Sequence, residues 1–407
     1  MPLPSVTINI SDDSFLVEDS DTTSESFLAG FIVENLELIN ALGTTADVTN
    51  KFFETDSSDL YERLSSPIGN GAGVSFAGFG GSAGTSGALY PSVLEGGSGV
   101  TAGQIRWPKG AVYPWTDDFN NAMSAAVYGT KLVIGISASN PFTSSNSHDL
   151  DAIFGTGLSA DEYMDTIMTN RENDCFAVRG ITAVDSGAPT GDEFDIFVYG
   201  DKYSLPLGKD PESISNDAEY NQTRLTSDVI GCLARTFRVA HPWFSPAGMN
   251  RGQIKNVVKL KDPPTATKAS SLYDNKINPV LSFPGEGVVL FGNKTGAAST
   301  SLLSKIEISS LFIYLKKKIG AVARKVLFEQ NTDATRQSFL NQASSILEKV
   351  QSKGGISEFT IKCDETNNPS AIVTEGKFVA SIFVKPARCI ETLEITFTNK
   401  NDGETLV

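Results

Sequence analysis

Between residues 131 and 200 the chain alternates short apolar runs with a longer amphipathic one. "KLVIGISA" (131–138), "CFAVRGIT" (175–182) and "EFDIFVYG" (193–200) have strand length and are apolar enough to be covered on both faces. "SADEYMDTIMTN" (159–170) lies between the first two as a helix, with Ser159 as its expected N-cap. "SDVIGCLARTFRVA" (227–240) reads as an apolar helix. Strands alternating with helices predict an α/β layer arrangement up to about residue 290. Upstream the pattern is less decided: "SESFLAGFIVENLELINAL" mixes an apolar run with a helical one.

The pattern changes after residue 300. In "SSLFIYLKKKIGAVARKVLFEQ" (309–330), Leu311, Leu315, Ile319, Val322 and Val326 recur at helical steps and form one apolar stripe. A second helix over about 333–352 carries Phe339, Leu340, Ala343, Ile346, Leu347 and Val350, and Gly354-Gly355 ends it. "SEFTIKCD", "KFVASIFVKP" and "ETLEITFTNK" follow as three strands, the last alternating Leu393, Ile395 and Phe397. At the opposite terminus Val6-Thr7-Ile8-Asn9-Ile10 has the same alternation, with Val6, Ile8 and Ile10 on one face. Residues 69–103 hold about a third of the 36 glycines and read as a flexible loop or insertion. No solenoid-period repeat is visible.

Composition narrows the function classes. The chain has 407 residues, 33 Lys and Arg against 48 Asp and Glu, and a net charge of −15. Such a chain repels nucleic acid and anionic membrane overall, so an acidic partner has to be met by a local basic patch. The start, Met-Pro-Leu-Pro-Ser, has no basic n-region, so no signal peptide is expected. No apolar stretch approaches the roughly 20 residues that span a bilayer. Cys175, Cys232, Cys363 and Cys389 form no CxxC pair and are expected to be free thiols. With only His148 and His241, a zinc site or a histidine-based triad is disfavoured. No metal or cofactor is expected.

"KCDETNNP" (362–369) is the densest cluster of chemical groups. Counted as a calcium loop, Asp364, Thr366 and Asn368 take positions 1, 3 and 5, and Glu375 takes position 12. Position 6 is then Pro369, where the loop needs glycine, and the flanks are strands. A turn whose Asp and Asn side chains bond local backbone fits better. "GFGGSA" (78–83) matches a dinucleotide fingerprint but lacks the strand before it and the helix after it. The sequons at Asn221 and Asn293 carry meaning only in a secretory protein. His241, beside Pro242-Trp243-Phe244, reads as a packing or turn residue.

The helix at 309–330 stands apart. At 100° per residue Lys317, Lys318, Arg324 and Lys325 fall opposite the apolar stripe with no acid among them. Solvated helix faces ordinarily intersperse both signs. In a chain with surplus acid, this face is a candidate contact for an acidic partner surface.

From about residue 227 onward the sequence resembles the tail sheath proteins of contractile-tailed bacteriophages. The resemblance rests on Trp243, Phe244, Ser245, Pro246, Ala247, Gly248, Asn250, Arg251 and Gly252, then on "INPVLSFPGEGVVLFGNKT" (277–295). "LFEQNTDATRQSF" and "CDETNNP…KPARCIETLEITF" follow in the family's order. The chain departs from the family pattern at Gln330, at Lys316-Lys317 and in its ending, "NKNDGETLV".

The resemblance implies a multi-domain sheath subunit of mixed α/β and α+β class. It would have an arm at 1–20, an outer α/β domain at 21–275 with a glycine-rich insertion at about 66–130, an inner tube-facing domain at 276–388 and an arm at 389–407. It implies hexameric rings stacked helically around a tail tube, and contraction that drives the tube through a host envelope. Expected partners are other copies of the chain, the tube, the baseplate and the tail terminator, in a virion tail assembled in the host cytoplasm. Under this reading Lys317, Lys318, Arg324 and Lys325 contact the tube. Val6, Ile8, Ile10, Leu393, Ile395 and Phe397 add strands to neighbouring subunits. A sheath of a phage-derived injection particle and a nucleotide-binding α/β enzyme remain as alternatives.

Overall fold

The structure is a computed structural model and describes residues 27–33, 52–55, 120–122, 124–125, 127–135, 140–145, 148–155, 158–181, 189–205, 214–217, 220–297 and 301–390. Residues 1–26 and 391–407, with Val6, Ile8, Ile10, Leu393, Ile395 and Phe397, and the glycine-rich segment 69–103 lie outside the described residues.

A seven-stranded sheet organises the first two-thirds of the chain, in the order β10-β6-β5-β4-β1-β3-β2. Its members are β1 (Leu28–Ile32), β2 (Phe52–Thr55), β3 (Lys131–Gly135), β4 (Ala152–Gly155), β5 (Phe176–Ile181), β6 (Asp195–Tyr199) and the short β10 (Ile277–Asn278). All neighbours pair in parallel except β2, which runs antiparallel to β3 at the edge. Leu28 pairs with Lys131, and Ala29 pairs with both Leu132 and Ala152. Every residue of β4 and β6 is buried, as expected for a parallel sheet covered on both faces. The undecided run near residue 30 is therefore an interior strand, whose Phe31 stacks on Phe154 with ring centroids 4.7 Å apart.

Among the described residues this sheet is accompanied by α1 (Asn140–Thr143), α2 (Leu158–Asn170) and α3 (Leu225–Val239). Because α2 already starts at Leu158, Ser159 lies inside its first turn and is not the N-cap expected of it. Helix α3 packs on β4, β5 and β6. A small antiparallel sheet, β8-β7-β9, joins β7 (Asp201–Ser204), β8 (Asn221–Arg224) and β9 (Lys259–Leu260). Helix α4 (Ala266–Asp274) and the hairpin of β11 (Val280–Phe283) and β12 (Gly287–Leu290) follow. Val280, Val288 and Leu290 belong to the same core as the large sheet. Ile277 packs separately with Phe197, Tyr199 and Leu272 beside the sheet.

A second core begins with α5 (Ile306–Val326) and α6 (Asp333–Ser352), packed with the antiparallel pair β13 (Ile356–Lys362) and β14 (Ser381–Pro386). This is the expected arrangement of two helices on a sheet, and the predicted stripe residues Leu311, Leu315, Ile319 and Val322 are buried in it. Helix α5 ends four residues before the predicted limit. Phe328 takes a positive φ of 72°, which no right-handed helix can continue through. A short helix, α7 (Ser370–Thr374), joins β13 to β14.

One polar node lies inside the first core. Lys202 Nζ donates to Asp228 Oδ1 at 2.7 Å and to the Lys255 carbonyl at 2.8 Å. The Tyr128 hydroxyl donates to the same carboxylate oxygen at 2.8 Å and accepts from the Lys255 N–H at 2.7 Å. Burial pushes the Asp228 carboxyl up in pKa against the opposing pull of Lys202, and burial together with Asp228 raises the Tyr128 phenol. The node joins β7, the start of α3 and the segment around residue 255. Removing one partner of such a pair strands a buried charge. We expect Lys202→Met to cost about 3–5 kcal/mol in urea unfolding. Adding Asp228→Asn to that variant should recover part of the loss.

Candidate functional site: the helix between two cores

Helix α5 serves both cores. Ile306 and Ile313 belong to the first, while Leu311, Tyr314, Leu315, Ile319 and Val322 belong to the second. Ile308 and Phe312 close a small cluster with Leu303. From Ile306 to Leu315 every residue is buried, so this half of the helix has no solvated side.

That enclosure divides the predicted basic face. Lys317 does not reach outward. Its side chain is 13% exposed, and Nζ contacts Asp149 Oδ1 and Asp151 Oδ1, both at 2.8 Å, and the Leu150 carbonyl at 2.7 Å. The other oxygen of Asp151 accepts from the Leu28 N–H at 3.0 Å, which links α5 through the 149–151 loop to β1. Burial alone would lower the pKa of Lys317, but Asp151 and Asp149 more than reverse this and it is raised. Burial raises the Asp151 carboxyl, and Lys317 offsets this only in part. Lys316 donates to the Glu172 carbonyl. Lys317 is thus an internal anchor and is withdrawn from the predicted contact set. A helical wheel assumes one buried side, whereas here the side opposite the stripe meets the 149–151 loop. Of the remaining three, Lys318 is half-buried, with Nζ 5.4 Å from the Tyr314 ring, and Arg324 and Lys325 are exposed.

The residues that carry the family resemblance form a joint beside this helix. Trp243 enters the second core, its indole N–H donating to the Lys353 carbonyl at 3.3 Å. It stacks on His241 at 4.8 Å and meets Tyr314 edge-on at 5.7 Å. Burial and nearby Lys353 lower the His241 pKa, which suits its packing role. A Cβ on Gly355 would stand 2.8 Å from the Trp243 ring, so the approach requires glycine. Arg251 donates to the Ser245 carbonyl at 2.7 Å and lies over Phe244. Arg235 of α3 donates to the carbonyls of Arg251 and Gln253 at 2.9 and 2.7 Å. Further on, Asn278 donates to the Phe197 and Lys294 carbonyls and accepts from the Lys294 N–H. Asn293, one of the two sequon residues, is buried and donates to the equally buried Glu307 at 2.5 Å. Cys389 donates to the other Glu307 oxygen at 3.1 Å, where the chain leaves the second core.

The 362–369 cluster is a turn, as its Asx chemistry predicts. Asp364 Oδ1 accepts from the N–H and hydroxyl of Thr366 at 2.8 and 2.6 Å, and Asn367 caps the Asp364 N–H. Asn368 exchanges two hydrogen bonds with the Val379 backbone. The Thr366 bonds hold the Asp364 carboxyl below its usual pKa. Among the described residues no His, Cys, Asp and Glu group is placed to hold a metal ion. All four cysteines are free thiols, and Cys389 alone is exposed.

The last feature is an open sheet. Among the described residues β13 and β14 pair only with each other, and Phe383 on β14 is half-exposed. The pair is supported by its packing on the two helices, and its outer edges are templates for further strands.

Residues 298–400 match the family model described as phage tail sheath C-terminal domain. The tail sheath protein of Vibrio phage KVP40 is 43% identical over 173 residues, which are 42% of this chain and 26% of that protein. The tail sheath protein of Enterobacteria phage T4 is 39% identical over 179 residues, 44% of this chain and 27% of that protein. The matched stretch therefore spans about a quarter of these relatives' length. The sheath complex of an extracellular contractile injection system, PVC, in the contracted state superposes with a TM-score of 0.67 over 98% of both chains at 13% identity, a likeness of fold. The tail sheath resemblance and the mixed α/β class read from the sequence are both borne out.

The split of the basic face can be tested by stability alone. Lys317→Ala leaves Asp151 enclosed without its cation. We expect a loss of about 2–4 kcal/mol, below the value for a fully buried pair because Asp149 is open to solvent. Arg324→Ala and Lys325→Ala should each stay within about 0.5 kcal/mol of the parent. Equal losses for all three in denaturant titrations would refute the anchor role.

Proposed function

We propose that this chain is a structural subunit of a contractile phage tail sheath. The supporting observation is the tail sheath similarity of the C-terminal region, joined to a sheath fold along nearly the whole chain. On this reading the subunit assembles with copies of itself into hexameric rings stacked around a tail tube. It meets the baseplate at one end and the tail terminator at the other, and its contraction drives the tube through the host envelope. It acts by assembly and not by catalysis, in a virion tail built in the host cytoplasm. The phage relatives favour a virion over a phage-derived injection particle. The α/β domain is the outer part, and the module of α5, α6, β13 and β14 is the inner part that faces the tube.

Two interactions of opposite character would serve this function. The terminal segments with Val6, Ile8, Ile10 and with Leu393, Ile395, Phe397 would add strands to the open edges of β13–β14 in neighbouring subunits. Each net backbone hydrogen bond contributes roughly 1 kcal/mol, so a six-residue strand links subunits by several kcal/mol. Such a link survives rotation of the subunits if its connector is flexible. Lys318, Arg324 and Lys325 would hold the tube through exposed ion pairs of about 0–1 kcal/mol each, weak enough to release.

Deleting residues 1–18 should leave a folded subunit that cannot form helical tubes, as seen by negative-stain microscopy. Normal tubes from the truncated protein would refute strand exchange through this arm. Changing Lys318, Arg324 and Lys325 together to Glu should abolish sheathing of the tail tube while sheath-only tubes still form. Co-assembly with purified tube, imaged beside sheath alone, reads this directly. Normal sheathed tubes would show that the face is merely solvated.

A further inference from the structure

Phe328 combines three properties that rarely coincide. The residue is 87% exposed, its backbone sits at φ 72°, and the turn around it is hydrogen-bonded. The Glu329 N–H donates to the Val326 carbonyl at 3.1 Å, and Thr332 caps α6 through the Thr335 N–H at 3.3 Å. Asn331 donates to the Lys377 carbonyl at 2.8 Å and accepts from Arg336 at 2.7 Å. An exposed phenylalanine by itself means little. A bulky residue in left-handed backbone is a genuine outlier, and it persists only where its surroundings fix it. Packing within the subunit does not account for this one, because the ring lies in solvent. An aromatic ring carried outward on a hydrogen-bonded turn has little backbone freedom left to lose on contact, which is the property of a binding anchor.

We infer that Phe328 is the apolar anchor of the sheath subunit on the tail tube, inserting into a shallow apolar pocket rimmed by carboxylates. This rests on the proposed tube-facing role of the inner module. The rim follows from charge complementarity: Arg324 and Lys325, four and three residues before the ring in the chain, are exposed, and they outnumber the one exposed acid beside it, Glu329. The anchor supplies what the lysines and arginine lack, an attraction that salt does not screen.

The test uses the full chain and purified tail tube. Phe328→Asn removes the ring while keeping a residue that tolerates left-handed backbone. Its melting temperature should equal or exceed that of the parent, and sheath-only tubes should form. Its co-sedimentation with tube should weaken by about ten- to a hundredfold per subunit, the equivalent of losing one buried Phe side chain. Phe328→Leu should retain most of the binding, and Phe328→Gly should behave as the Asn variant does. Failure of Phe328→Asn to sheathe the tube supports the anchor, whether or not the triple-Glu variant also fails. If the Asn variant sheathes tube normally while the triple-Glu variant does not, the anchor is overturned and the tube-facing reading stands. If both sheathe normally, both fall. Loss of sheath-only tubes in the Asn and Gly variants would make the ring a self-assembly residue and overturn the proposal.

Discussion

The structure depends on one helix answering to two cores. In α5, Ile306 and Ile313 close the first core, and the face running from Leu311 to Val322 closes the second. Neither core can shift against this helix without giving up apolar contact on the other side. Lys317 adds a polar constraint at the point where burial gives out. A lysine there would be costly to enclose, and Asp149, Asp151 and the Leu150 carbonyl offset that cost by meeting its ammonium together. The result ties the helix to the backbone of β1, an interior strand of the large sheet.

The joint built from residues 243–252 works from the other side of the same helix. Trp243 leaves the first part of the chain and enters the second core, and Arg235 and Arg251 fix the backbone that carries it. Residues 243–252, among those by which the chain resembles tail sheaths, therefore fasten one core to the other. This accounts for a motif rich in aromatic and glycine residues, with Arg251 holding its backbone.

What the sequence disclosed follows the same physics. Strands β3, β5 and β6 are continuous apolar runs because both faces of the sheet are covered, and the stripes of α5 and α6 are periodic because each lays one face on the second core. The turn at 364–369 was legible because its hydrogen bonds are local. Strand β4 has only four residues, and β8, Asn-Gln-Thr-Arg, has no apolar alternation, since neither forms a long half-buried surface. Lys317 was misassigned because periodicity records that a residue lies opposite a stripe and says nothing of what waits there. Phe328 gave no signal at all. A phenylalanine just past a helix end reads as core, and only its backbone angle and exposure set it apart.

The pairing of β1 with β3 has a further consequence for how such a chain can vary. Leu28 meets Lys131 across roughly a hundred residues of intervening chain, and β2 returns to the same strand from within that stretch. The entropy of closing a connection grows only with the logarithm of its length. Doubling it adds about 0.6 kcal/mol. The connection from β2 to β3 is therefore a place where whole segments can be gained or lost between one chain and another at small thermodynamic expense. The segments around α5 have no such latitude, since a single inserted residue there would turn its two apolar faces away from both partners.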